Sequence, residues 1–170
     1  MIYLELSQYF AHFKTNLYWE ISKTDAVRFY NSLGQEKRTN RLPLSDLLNS
    51  EILLGEKRDN QLIGIIGITR VKCLPMLFIF VKSEYQNKKI GSHLMKRMDD
   101  LIKSEYFIVV LKVMKSNERA IKLYLGHNYR IFHQDDLNYY MAKTSIFFLC
   151  LLFAVSKSFL ALSFFSHHHK

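Results

Sequence analysis

Two uninterrupted apolar runs constrain the chain most, "MLFIFVKS" at 76–83 and "YFIVVLKV" at 106–113. Neither run leaves a polar face for water, so each is read as a central strand buried on both sides. Between them, Ile90, Leu94, Met98, Leu101 and Ile102 recur at helical spacing and predict an amphipathic helix from near Gly91 to about Ser104. After the second run, "SNERAIKLYLGHNY" predicts another helix, with Ser116 or Asn117 as its N-cap. Upstream, "LYWEIS" reads as a short strand, followed by a helix that starts near Thr24 or Asp25 and is stopped by Gly34. "PLSDLLNS" reads as a short helix, and "EILLGEKRDNQLIGIIGITRV" as a hairpin turning at "KRDNQ". "YRIFHQ" and "LNYYMAK" supply two closing strands, while residues 3–16 carry only a weak amphipathic pattern. The order predicts an α/β or α+β domain with a mixed sheet.

With 170 residues there is chain enough for one domain with a sizeable core. Gly and Pro are scarce and no segment repeats, which excludes a low-complexity chain. Cys73 and Cys150 stand alone, without metal-ligand or disulfide spacing, so no metal site is expected and a reducing, cytoplasmic compartment fits. The N-terminus "MIYLELSQYF" has neither the basic start nor the apolar core of a leader and is read as part of the mature protein. A formal charge of +9 favours an anionic partner. No nucleic acid is expected, because the basic residues are scattered and no nucleic-acid-binding motif is present.

The segment "YQNKKIGSHLM" joins the first buried strand to its helix. Backbone N–H groups at a helix start lack intrahelical partners and carry the positive end of the helix dipole, which suits a pyrophosphate. Gly91 permits close backbone approach, and Lys88 and Lys89 add charge. A solvated basic turn would look similar over these residues alone.

The downstream residues separate the two readings. Gln86, Lys89 and Gly91, followed by Asn117, Ala120, Leu123, Tyr124, Asn128 and Tyr129, resemble the loop and the later helix of the GCN5-related N-acetyltransferases (GNAT). The likeness covers roughly residues 18–143 in element order and is specific over 76–130. Lys89 departs from a loop glycine and is expected to hold a conformation that a side chain tolerates. Asn128 replaces another glycine, and Asn is the natural substitute at a left-handed helix end.

The resemblance implies a mostly antiparallel sheet with helices on both faces, splayed between two central parallel strands. It further implies acetyl transfer from acetyl-CoA to a primary amine by direct attack, with no metal. The pantetheine arm would lie between the strands of Phe80–Val81 and Ile108–Val113, where a backbone N–H near Val81 polarises the thioester carbonyl. Gln86, Asn87, Lys88, Lys89, Ile90, Gly91 and Ser92 would hold the pyrophosphate. Asn117 would be a cofactor contact, an N-cap, or both. Tyr124 falls where the family places the general acid for the departing thiolate, although a core aromatic would show the same spacing. No general base is assigned: "MLFIFV" contains no acid, and Glu84 and His93 read as surface residues. The basic residues Lys37, Arg38 and Arg41, in the segment expected to shape the acceptor pocket, argue against a polycationic acceptor and suit one bearing an acidic group.

Composition changes abruptly after Lys143, which sets apart an apolar tail at 146–170 from the domain at 1–145 that resembles the GNAT acetyltransferases. Residues 146–165 would span about 30 Å as a helix, a bilayer core in thickness. Membrane anchoring, with Lys157 inside the span, and packing on protein both stay open. So does a homodimer. The runner-up function is a catalytically degenerate acyl-CoA-binding module with a regulatory or membrane-associated role.

Overall fold

The computed structural model describes residues 18–34 and 42–145. In chain order these form β1 (Tyr18–Trp19), α1 (Lys23–Ser32), α2 (Leu44–Leu48), β2 (Ile52–Arg58), β3 (Gln61–Val71) and β4 (Leu74–Val81). A 3-10 turn (Ser83–Tyr85), α3 (Ile90–Glu105), β5 (Ile108–Met114), α4 (Glu118–Gly126), β6 (Arg130–Gln134) and β7 (Asn138–Thr144) follow. The strands make one seven-stranded sheet in the order β1-β2-β3-β4-β5-β7-β6. Its neighbours are antiparallel except β1 with β2 and β4 with β5.

The two long apolar strands are central, as their sequence requires. Alternate residues of β2, β3 and β4 feed two separate cores. Ile52, Leu54, Ile66, Ile68 and Leu77 pack under α3 against Leu94, Met95, Met98 and Ile102. Leu53, Ile65, Phe78 and Phe80 pack on the opposite face against Ala26, Phe29, Tyr30 and Leu47 of α1 and α2. The alternation slips near Ile63, where β2 and β3 shift register.

Two hairpin turns place the strands. Asp59 and Asn60 both take positive φ, 49° and 62°, as a two-residue loop of this hand demands. Lys72 and Cys73 do the same at 48° and 69°, although neither residue type signals it. The helix start expected near Thr24 is set by Ser22, whose hydroxyl accepts from the Asp25 N–H. The helix stop expected at Gly34 falls earlier: α1 ends at Ser32 and Leu33 turns extended at φ −72°, ψ 143°.

The decisive feature is the seam between β4 and β5. These parallel strands are registered at one residue pair only, Met76 opposite Val110. Beyond it Phe78 and Phe80 on β4 diverge from Lys112 and Met114 on β5. Gly67, which pairs with Phe78, explains part of this. A Cβ on Gly67 would stand 2.4 Å from Phe78 Cζ, so the ring lies over β3 rather than bridging to β5.

Far from the seam's open end, buried Glu51 accepts from the Tyr106 hydroxyl at 2.8 Å and pairs with Arg70. Burial, and then the Glu51 carboxylate, push the Tyr106 phenol well above its ordinary range. No helix among the described residues is long and apolar enough to cross a membrane. Residues 3–16, Lys37, Arg38, Arg41 and the 146–170 tail, on which several expectations rest, lie outside the described residues.

Candidate active site

The site is built where the seam opens. A cleft of about 1120 Å³ lies between the end of β4, the loop into α3, and the first turns of α4. Phe80, Val81, Gln86, Asn87, Lys89, Ile90, Gly91, Ser92 and Asn117 line it. Lys88 does not: its ammonium sits over the Tyr85 ring, 5.1 Å from the centroid.

The loop backbone is unusual. Gln86 has φ −67°, Asn87 +64° and Lys89 +61°, with Lys88 outside the positive-φ set. Gln86 itself is extended, with ψ 158°, and the two left-handed residues after it fold the loop tightly back to the start of α3. Lys89 thus takes the left-handed conformation that its missing glycine would favour, contrary to the expectation of a more tolerant geometry. The strain is of order 1–2 kcal/mol.

Lys89 is also the N-cap residue of the sixteen-residue α3, and no side chain caps that helix. The first α3 backbone donor with a helical partner is His93, which bonds to the Lys89 carbonyl. The N–H groups of Ile90, Gly91 and Ser92 therefore face the cleft without an intrahelical acceptor. The other two helices of nine residues or more are capped, α1 by Ser22 and α4 by Asn117, whose Oδ1 accepts from Ala120 N–H at 3.2 Å. Gly91 has ordinary φ; its value is space, because an added Cβ would stand 3.2 Å from Leu123 Cδ2.

Gln86 ties the mouth together. Its Nε2 donates to the Val81 carbonyl at 3.2 Å, and its Oε1 accepts from Arg119 Nη1 at 2.8 Å. The Lys82 N–H points to β3, bonding to the Ile63 carbonyl. Strand alternation then turns the Val81 N–H the other way, into the gap that β5 leaves open. Arg119 was not legible as a site residue, although a cation in the first turn of a helix opposes the dipole and is a signal in itself.

A second, smaller cavity of about 100 Å³ continues from the cleft and shares Ile79, Phe80 and Asn117 with it. Tyr124 lines this inner cavity, with Phe78, Lys112, Met114 and Asn138. Tyr124 is also a core residue under α3, 6% exposed, with its ring centroid 6.0 Å from that of Tyr129. Tyr124 is thus a core aromatic that also reaches the cavity wall. Lys112 was likewise missed, yet it is the one charged residue of "YFIVVLKV". Asn128 has φ 67° just past α4, as expected of Asn in place of a helix-end glycine. Glu84 is exposed on the 3-10 turn, and His93 pairs with Glu56 at 3.0 Å, so both lie among surface groups.

Comparisons with known proteins agree with this geometry. Residues 15–128 match the acetyltransferase (GNAT) family. The chain belongs to that family. A search of curated proteins gives no match. Among solved structures, Ard1 from Thermoplasma volcanium is similar at TM-score 0.61 and 19% identity, covering 74% of this chain and 95% of that one. A GNAT-family acetyltransferase from Streptococcus pneumoniae is similar at 0.58 and 20%, covering 74% and 96%. The ribosomal-protein-S18-alanine N-acetyltransferase from Escherichia coli is similar at 0.57 and 18%, covering 73% and 90%. At these identities the likeness is one of fold.

Proposed function

We propose that this protein is an N-acetyltransferase that takes acetyl-CoA in the β4–β5 cleft and passes the acetyl group to a primary amine. The observation that carries this reading is the uncapped start of α3, whose three unpartnered N–H groups open into a cleft beside Lys89. These N–H groups stand at a half-exposed helix start where water is their only other acceptor, and a bound pyrophosphate is the natural one.

The residues fit the cofactor in order. Asn87 to Ser92 hold the pyrophosphate through backbone amides, and Gln86, held by Arg119, steadies the loop. The gap past Met76 admits the pantetheine arm, and the Val81 N–H supports the thioester oxygen as it gains charge. The acceptor nitrogen attacks the carbonyl carbon, the carbon–sulfur bond breaks, and the Tyr124 hydroxyl gives its proton to the sulfur. The nitrogen's surplus proton passes to water, since no carboxylate among the described residues lines the inner cavity. A phenol suits the role because its ordinary pKa of about 10 is near that of the leaving thiol.

The lack of an acid on β4 and the Lys89 departure also favour a second reading, a domain that binds acyl-CoA without turning it over. One experiment separates these. Calorimetry of the full chain with acetyl-CoA should show binding that Gly91→Asp abolishes. That variant should stay folded, because Leu123 can yield a few tenths of an ångström and an acid in the first turn suits the helix dipole. Wild-type binding with no turnover on any amine would favour the binding module. A folded wild type that binds no acetyl-CoA would overturn both.

A further inference from the structure

The inner cavity carries information about the acceptor. This inference rests on the acetyltransferase reading above and names the chemistry that its amine must bring. Among the described residues, Lys112 is the only charged one lining the cavity. Its neighbours on β5, Leu111 and Val113, pack under α3, so strand alternation sends Lys112 to the opposite face, which no described helix covers at β5 and β7. There its ammonium rests over the Tyr140 ring, 5.5 Å from the centroid. Among the described residues no carboxylate lies within ion-pair distance of it.

Asp135, beside Asn138 and Tyr140, is already engaged. It accepts from the Leu137 and Asn138 N–H groups at 2.9 and 2.6 Å, from Asn138 Nδ2 at 2.9 Å, and from the Tyr140 hydroxyl at 2.9 Å. Those donors offset its charge, and they fix the Asn138 amide with its nitrogen toward Asp135. The Asn138 side-chain oxygen is left as an acceptor at the cavity wall. Among the described residues the cavity wall therefore carries one exposed lysine without a carboxylate partner, one neutral acceptor oxygen and an apolar remainder, close to Tyr124.

We propose that the acceptor is a primary amine bearing an anionic group, carboxylate or phosphate, a few bonds from the nitrogen, with Lys112 taking the anion and Asn138 receiving an N–H of the amine. A cation in that place would meet Lys112 unpaired, which is the stronger half of the selectivity. The anion can come from an acidic residue near a peptide N-terminus or from a small phosphorylated amine; both present the same chemistry to Lys112.

Two matched pairs of acceptors test this with acetyl-CoA as donor. One is an Ala-Glu peptide beside its Ala-Lys counterpart, and the other is ethanolamine phosphate beside ethanolamine. The wild type should favour the anionic member of at least one pair by about tenfold or more in kcat/KM. The pair that shows the preference identifies the source of the anion. Lys112→Ala should flatten the preference and Lys112→Glu should reverse it, with acetyl-CoA affinity retained because the changed side chain lies over Tyr140, away from the cleft given to the pyrophosphate, and the β5 backbone is untouched. Equal use of both members, a cationic preference in the wild type, or a preference unmoved by Lys112→Glu would overturn the proposal. Acetyl-CoA binding without acetylation of either anionic probe would also overturn it while leaving the cofactor reading intact. Loss of acetyl-CoA binding in the wild type would instead strike the acetyltransferase reading itself.

Discussion

Tyr124 and Tyr129 sit side by side, yet their surroundings differ. Tyr124 reaches the inner cavity, and Tyr124→Phe keeps its ring packing while removing the hydroxyl proposed above as the proton donor. Turnover should fall by about a hundredfold or more with acetyl-CoA affinity unchanged, measured by single-turnover kinetics beside calorimetry. Tyr129 is fully buried, and its hydroxyl has no hydrogen-bond partner among the described residues. Burial, then the charge of Asp99 and the neighbouring Tyr124, push its phenol above the ordinary range. Tyr129→Phe should therefore stabilise the fold by about 1 kcal/mol in urea unfolding at neutral pH. The pH dependence has a fixed sign. A folded pKa raised above the unfolded one means stability that is complete below about pH 10 and declines as pH rises past it. Tyr129→Phe should flatten part of that alkaline decline, and a decline identical in the variant would contradict the assignment.

At the scale of elements, the strand–helix–strand–helix core was legible because its apolar runs and helical stripes have no other reading. Asn117 and Asn128 were legible for the same reason, as residue types whose local chemistry matches their places. The Lys72–Cys73 turn was not, since hairpin closure by β3 and β4 imposed positive φ on residues that do not ask for it. Lys89 shows the same override within the site: its neighbours dictate a left-handed backbone against its own preference. The lean of Phe78 was equally hidden, because it depends on which glycine lies opposite once the register is set. Gly67→Ala should cost about 1–3 kcal/mol, since the new methyl meets both the Phe78 ring and the Ile52 carbonyl oxygen at 2.8 Å. The same change should also weaken acetyl-CoA binding by driving the ring toward the gap, which thermal unfolding with and without cofactor would separate.

The whole molecule inherits a peculiar mechanics from the single registered pair of β4 and β5. Strands β1 to β4 form one plate and β5, β7 and β6 another, and Met76 opposite Val110 is the only stitch between them in the sheet. Elsewhere the plates are joined by α3 and α4 and their side chains, which resist compression well and shear poorly. A ligand arm laid into the gap would act as a splint. At a hundredfold excess over its Kd it would add about 2.7 kcal/mol to the fold, and the stiffening would be felt in both plates. Amide exchange on β5 and β7 should then slow on addition of acetyl-CoA, even at residues the cofactor never touches. The weakness that lets a substrate in is thus also the place where its arrival is registered by the rest of the chain.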